Sequence, residues 1–370
     1  MTKTNQQRTM LKLLAFLLIL APLPTAFGQA ADACSSNPLP GDSCSTDGDP
    51  IGTAPDGALP DTGLGNPVDL VTGTKSQFEN DFRIDGALLG FQRHYASTNS
   101  DHNIGLGHGW RHSYSVQITT TPDGGRQIID AAGRRLLFDP PHEQSPKVYQ
   151  ARLHSDGHII ETDKESEHIW IIPDGRRMRF YGSFLVRIKW PGHRFLSLQY
   201  RNQRIVTVTD ETNRALQFEY TPGQASGLRG FDETPFTAHA GHLSAIVRPD
   251  GQRITYDYDE KNNLTRVRFP DGTVRQYHYE NNAWPNHLTG LTDRTGNRYA
   301  SWTYNEAGIA VSSSHANNIE KVSLSIDEPE VVGDIGITTV TNSVGAQSTY
   351  SWRRDPVSYT HLTLPTILLV

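Results

Sequence analysis

The sequence predicts an all-β fold of tandem β-hairpin repeats, on three observations. The first is a phrase written twice, 21 residues apart, starting at Leu243 and at Leu264. Leu243-Ser-Ala-Ile-Val-Arg-Pro249-Asp250-Gly251 leads to Tyr256-Asp-Tyr258, and Leu264-Thr-Arg-Val-Arg-Phe-Pro270-Asp271-Gly272 leads to Tyr277-His-Tyr279. A fixed period of this kind marks one supersecondary unit stacked repeatedly. The second observation is composition: 32 Gly and 22 Pro against 3 Met make the chain rich in turns. The third is patterning, since short alternating runs abound and no stretch of the body keeps apolar residues at i, i+3, i+4 and i+7.

Within the unit, Pro-Asp-Gly is turn chemistry. Pro presets φ, Asp bonds nearby backbone, and Gly takes a positive φ. The paired aromatics after it fall on one face of a strand, because side chains alternate with period two. Worn copies run upstream to Ile172-Pro-Asp-Gly175 and downstream to Tyr350-Ser-Trp352, with closing tyrosines at Tyr200, Tyr220, Tyr258, Tyr279 and Tyr304.

In chain order, residues 1–28 read as a Sec-type signal peptide of a bacterial exported protein. Lys3, Arg8 and Lys12 precede the apolar run Leu13 to Leu20, which is too short to span a bilayer, and small residues follow. No membrane span is expected after cleavage, and the chain is expected to be secreted, periplasmic or at the cell surface. Residues 29–64 form a Gly/Pro/Ser-rich leader holding both cysteines, Cys34 and Cys44, which an oxidising compartment would pair as a local disulfide. Residues 65–170 are expected to form an N-terminal β domain and 171–352 the hairpin repeats. Residues 357–370 read as a non-native tail. Val357 to Thr366 matches the translation of a transposon-type sequencing adapter and breaks the repeat without a turn or closing strand, so the natural chain is expected to continue past Pro356.

The ordered part opens with Gly65-Asn-Pro-Val-Asp-Leu-Val-Thr-Gly73, then Arg93-His-Tyr-Ala-Ser97 and Gly107-His-Gly-Trp-Arg-His-Ser113. With the tyrosine repeats behind them, these motifs closely resemble the N-terminal portion of RHS-repeat (YD-repeat) proteins, over roughly residues 65–352. The resemblance implies a long β-ribbon that spirals into a hollow shell, of which this chain holds a plug-like N-terminal region and the first turns. In polymorphic toxins of this family the shell encloses a C-terminal enzyme released by aspartyl self-cleavage at a motif like DPxGxxGG. Asp355-Pro356 matches only the first two letters of that motif, and no glycines follow it.

Catalytic constellations do not assemble. His94, His102, His108 and His112 cluster in sequence, but His108-x3-His112 enters a strand, where i and i+4 do not form a paired ligand face, and no metal is expected. Glycosidase chemistry needs two carboxylates about 5–10 Å apart across a cleft. Asp250 and Asp271 sit instead at turn positions that favour Asp, and Asp257 separates two tyrosines. No Gly-x-Ser-x-Gly elbow is present and Ser113 beside His112 is mere adjacency. A net charge of −6 offers no footprint for nucleic acid. The tyrosines can stack on sugar rings or pack between hairpins, and each unit's need for a buried face favours packing.

The sequence therefore reads as the N-terminal fragment of a structural β shell for encapsulation or surface interaction, without catalysis or cofactor of its own. Its expected partners are its own missing C-terminal domain and cell-wall or glycan contacts. The alternative is an extracellular glycan-binding or glycan-processing β protein.

Overall fold

The computed structural model describes residues 63–64, 67–141, 146–222, 241–316, 320–329, 334–354, 360–362 and 366–368. The expected signal peptide and the Cys34–Cys44 pair lie outside them. Described residues are strands, turns and two short 3-10 turns, Ser97–Asn99 and His154–Asp156. No helix among them is long and apolar enough to cross a membrane.

A short ladder of β1 (Gly63–Leu64) and β2 (Val68–Asp69) precedes a three-stranded antiparallel sheet. That sheet is β3 (Ser76–Arg83), β4 (Gly90–Ala96) and β5 (Trp110–His112). Its loops are held locally: Asp69 Oδ1 accepts the N–H groups of Val71 and Thr72, and Asn103 Oδ1 those of Gly105 and Gly107.

Eight strands then close into a ring. They are β6 (Gln117–Thr120), β7 (Arg126–Ile129), β8 (Arg135–Phe138), β9 (Val148–Gln150), β10 (His158–Glu161), β11 (Glu167–Ile171), β12 (Arg177–Tyr181) and β13 (Phe184–Lys189). Each pairs antiparallel with the next, β8 with β9 through the Phe138–Ala151 bridge, and β13 returns to β6 through Phe184 and Gln117. The register puts Ile118, Ile128, Leu136, Ile159, Trp170, Met178 and Ile188 inside, all buried. An eight-stranded ring is just wide enough for such side chains to fill. The boundary expected at residue 170 falls at the end of β11, within this ring.

From β13 the pairing continues without interruption as a ribbon of hairpins. It comprises β14 (Phe195–Arg201), β15 (Arg204–Asp210), β16 (Ala215–Tyr220), β17 (Leu243–Val247), β18 (Arg253–Tyr258), β19 (Leu264–Arg268), β20 (Val274–His278) and β21 (Gly290–Thr292). It goes on through β22 (Arg298–Tyr304), β23 (Ala310–His315), β24 (Val322–Asp327), β25 (Ile335–Asn342) and β26 (Gln347–Arg354). β27 (Thr360–Leu362) and β28 (Thr366–Leu368) both pair with β26, because an edge strand offers unpaired N–H and C=O groups to any segment of strand-forming residues.

Two turn phrases share one geometry. In Arg248-Pro249-Asp250-Gly251-Gln252 the Gly251 N–H reaches the Arg248 carbonyl, the Arg248 N–H reaches Gln252, and Gly251 has φ +81°. Asp250 Oδ1 accepts the Gln252 N–H at 3.0 Å. Phe269 to Thr273 repeats this around Asp271 and Gly272, whose φ is also +81°. Asp210 to Arg214 and Asp259 to Asn263 form the same loop with the acid at its first position, accepting two backbone N–H groups each. Asp250 and Asp271 thus spend their carboxylates on their own turns.

Candidate functional site: the N-terminal sheet docked on the repeat ribbon

The paired aromatics of each repeat take two different jobs. The first positions, Leu198, Phe218, Tyr256, Tyr277 and Trp302, are buried. The second positions follow a register shift in the strand at Tyr200, Tyr220, Tyr258 and Tyr304. A bulge re-aims the side chain that follows it. Each of these hydroxyls donates to a carbonyl near the start of the same strand–turn–strand unit: Tyr200 to Leu185, Tyr220 to Ile205, Tyr258 to Leu243 and Tyr304 to Leu288, at 2.7–2.9 Å. Tyr279 breaks the series and accepts the Trp110 indole N–H at 2.9 Å.

That exception adjoins a buried polar assembly that ties the N-terminal sheet to the repeats. Arg93 on β4 is fully buried and forks onto Asp81 of β3 with two 2.8 Å hydrogen bonds. Asp81 stands where the β3–β4 register shifts between Asn80 and Phe82, so the irregularity frees its side chain from ladder alternation. Both partners then reach the repeats. Arg93 donates to the Tyr277 hydroxyl at 2.8 Å, and the Tyr256 hydroxyl donates to Asp81 Oδ2 at 2.8 Å. The guanidinium lies 4.9 Å from the Trp110 ring centroid and 5.3 Å from that of Tyr277, within cation–π range. Burial works against the Arg93 charge, but Asp81 beside it holds the guanidinium well above its ordinary pKa. Burial also pushes the Tyr256 and Tyr277 hydroxyls far up, so both remain protonated donors or acceptors.

Further contacts extend the seam along the ribbon. Glu79 pairs with Arg275 on β20, and Lys75 Nζ sits 4.0 Å over the Trp302 ring of β22. Burial drives the Lys75 pKa well below its ordinary value, against the raising effect of Glu79. The Tyr95 hydroxyl donates to the Asn286 carbonyl and accepts the Leu288 N–H at 2.9 Å. Backbone joins backbone where the Leu243 N–H donates to Gly105 at 2.8 Å and the Ala310 N–H to Gly73 at 2.9 Å. Gly107 has φ +97°, and a Cβ there would lie 2.6 Å from the Leu264 nitrogen, so only glycine fits the approach. Phe91 packs edge-on against Phe218 and Tyr256, and Thr338 of β25 donates to the Leu70 carbonyl.

The clustered histidines of the N-terminal sheet make packing and local hydrogen-bond contacts. His94 on β4 is half-buried and His112 on β5 is buried, and desolvation lowers their pKa values to about 4 and about 3. His112 Nδ1 accepts the Tyr114 N–H, and its ring stacks 5.2 Å from Phe91. His108 faces the Ser100 carbonyl at 3.0 Å. Among the described residues no three His, Cys, Asp or Glu side chains are grouped to hold a metal ion. The ribbon tyrosines Tyr256 and Tyr277 have no open face for a sugar ring.

What the fold and this seam define is a tandem β-hairpin repeat protein whose N-terminal sheet is keyed into its own repeats. Residues 239–274 match the family model RHS Repeat, and residues 65–138 match a domain of unknown function, DUF6531. Both matches fall within the stretch whose motifs resemble RHS-repeat proteins, and residues 239–274 carry the repeat itself. It is 26% identical over 256 residues to the double-stranded DNA deaminase toxin A of Burkholderia cenocepacia (strain H111), covering 62% of this chain and 16% of that protein. Among solved structures it is similar to TcdB2-TccC3 without its hypervariable C-terminal region, at 14% identity and TM-score 0.28, over 68% of this chain and 14% of that one. A second, TcdB2-TccC3-TEV, aligns at 11% identity and TM-score 0.29 over 66% and 16%. The chain thus spans about a sixth of the length of these proteins.

Proposed function

We propose that this chain is the plugged N-terminal end of an exported toxin-type RHS shell, a structural part that encloses what the rest of the protein carries. The observation that supports this most is the seam through Arg93, Asp81, Tyr256 and Tyr277, which spends its charged groups on joining the N-terminal sheet to the repeats. A buried ion pair whose two members each reach across to the repeats favours one arrangement of the two elements. The relative named as a DNA deaminase toxin is matched over only 16% of its length, and we assign this chain to the shell and not to deamination. On this reading the signal peptide exports the chain, Cys34 and Cys44 pair outside the cytoplasm, and residues past Pro356 supply the cargo.

The test expresses the locus together with the coding sequence downstream of Pro356 and follows limited proteolysis by mass spectrometry. A downstream segment that resists protease until the repeats themselves are cut supports enclosure. A segment digested at once beside intact repeats overturns it. Deamination of double-stranded DNA by the purified 370-residue chain would overturn the non-catalytic assignment.

A further inference from the structure

The seam leaves unexplained the polar mouth of the ring. Across β6 and β7 the register pairs Thr120 with Arg126, across β10 and β11 it pairs Glu161 with His168, and these four side chains share the inner face with the buried Ile118, Ile128, Ile159 and Trp170. The inside of the ring is therefore apolar in its depth and charged at one end. A cavity of about 570 Å³ opens there, lined by Thr119, Thr120, Arg126, Glu161, His168 and Ser183 among others. It lies where β6 parts from β13, beyond the single residue pair, Phe184 with Gln117, that closes the ring.

The charged groups are organised around one carboxylate. Glu161 Oε2 accepts the Tyr149 hydroxyl at 2.7 Å and Arg126 Nη2 at 3.1 Å, while Oε1 accepts Lys147 Nζ at 3.1 Å. Arg126 Nε donates to His168 Nε2 at 3.1 Å, so that imidazole nitrogen carries no proton and the ring is neutral. Its neutrality agrees with burial and Arg126, which both lower its pKa. The guanidinium is also held flat over Tyr149, 4.4 Å from the ring centroid. Arg126 lines the cavity and Lys147 holds the far oxygen of Glu161 outside that lining, so two cations against one carboxylate leave one positive charge in excess beside Thr120 and Ser183.

We infer that the ring mouth is a binding site for a small hydroxyl-bearing monoanion, a sugar acid. A carboxylate would take the excess charge at Arg126, and sugar hydroxyls would bond to the threonine and serine hydroxyls and to Glu161. Mouths of β-barrels with an apolar floor and a few convergent polar groups are a common setting for ligand sites, and volumes of roughly 300–1,000 Å³ suit them. The site is separate from the seam, so it stands or falls independently of the enclosing role.

The test is calorimetric titration of the purified full chain with D-galacturonate, with an oligogalacturonide, and with D-galactose as the uncharged control. Galacturonate is expected to saturate, with galactose at least tenfold weaker. Tighter binding of the oligomer than the monomer would point to a polysaccharide source, and equal binding to the free acid. Arg126→Gln is expected to weaken galacturonate at least tenfold. Thr120→Val with Ser183→Ala, which leaves the ion pairs in place, is expected to weaken it severalfold with an unchanged thermal melt. The inference is overturned if galacturonate gives no saturable heat up to roughly 10 mM, if galactose binds equally well, or if the folded hydroxyl-less variant binds as tightly as the parent.

Discussion

Arg93 shows how much one side chain can be asked to do. Removing one partner of a buried ion pair strands the other charge, at a cost of about 3–5 kcal/mol. Arg93→Leu is therefore expected to lower unfolding free energy by that amount in urea titration, whereas Tyr277→Phe, which removes one hydrogen bond to a charged group, is expected to cost about 1.5–3 kcal/mol. An Arg93→Leu protein as stable as the parent would show the seam to be passive. Two histidines of the N-terminal sheet contribute to the pH response. His94 and His112 are held at about 4 and about 3 in the folded chain, below the ordinary 6.5. As pH falls from 6.5 the unfolded chain takes up protons that the folded one refuses, so stability declines through that window. Asp156 acts oppositely, since burial raises it to about 6 and the folded chain is protonated first as pH falls. The two histidines outweigh it, and melting temperature is expected to be lower at pH 5 than at pH 7. His112→Asn, which keeps an acceptor for the Tyr114 N–H, should flatten the profile.

At the scale of the hairpin, the repeat is stitched as well as packed. Tyr258→Phe leaves the strand and its packing but deletes the bond to the Leu243 carbonyl, and about 1 kcal/mol of stability is expected to go with it. The exposed Tyr181→Phe is the control and is expected to change nothing measurable by the same denaturation. Much of this element was legible in the chain. The doubled phrase announced the turn at Asp250 and Asp271 and the strand after it. What alternation could not announce is the register shift before the second tyrosine, because a bulge is a property of two paired strands and the period-two rule concerns one. The eight-strand ring was hidden for a similar reason: residues 117–189 carry only faint repeat signal, and its closure rests on one pair, Phe184 with Gln117.

The whole molecule departs from a simple solenoid. In a repeat array each unit touches only its neighbours, and damage stays local. Here the N-terminal sheet and the loop that leads into it touch repeats from β16 to β25. In hydrogen exchange, Arg93→Leu is expected to release protection in β18 and β20 as well as in β3 and β4. Loss confined to β3 and β4 would show that the repeats hold themselves. No local pattern could have forecast this linkage, since Arg93 and Tyr277 are separated by 184 positions and Asp81 and Tyr256 by 175. The motifs around Arg93 and Trp110 resembled a family, and their chemistry emerged only when the ribbon was laid over them.

The division of labour between the two aromatics of each unit bears on how such a gene ages. The second tyrosine meets the same kind of carbonyl in hairpin after hairpin, so drift there is corrected toward one letter. The first faces a different neighbour each time: Phe91 for Phe218, Asp81 for Tyr256, Arg93 for Tyr277, Lys75 for Trp302. Those positions are pulled apart by their separate attachments. Copies that began alike would lose their resemblance fastest where the N-terminal sheet grips them, and exchanging one repeat for another by recombination would deliver the wrong aromatic to a buried charge.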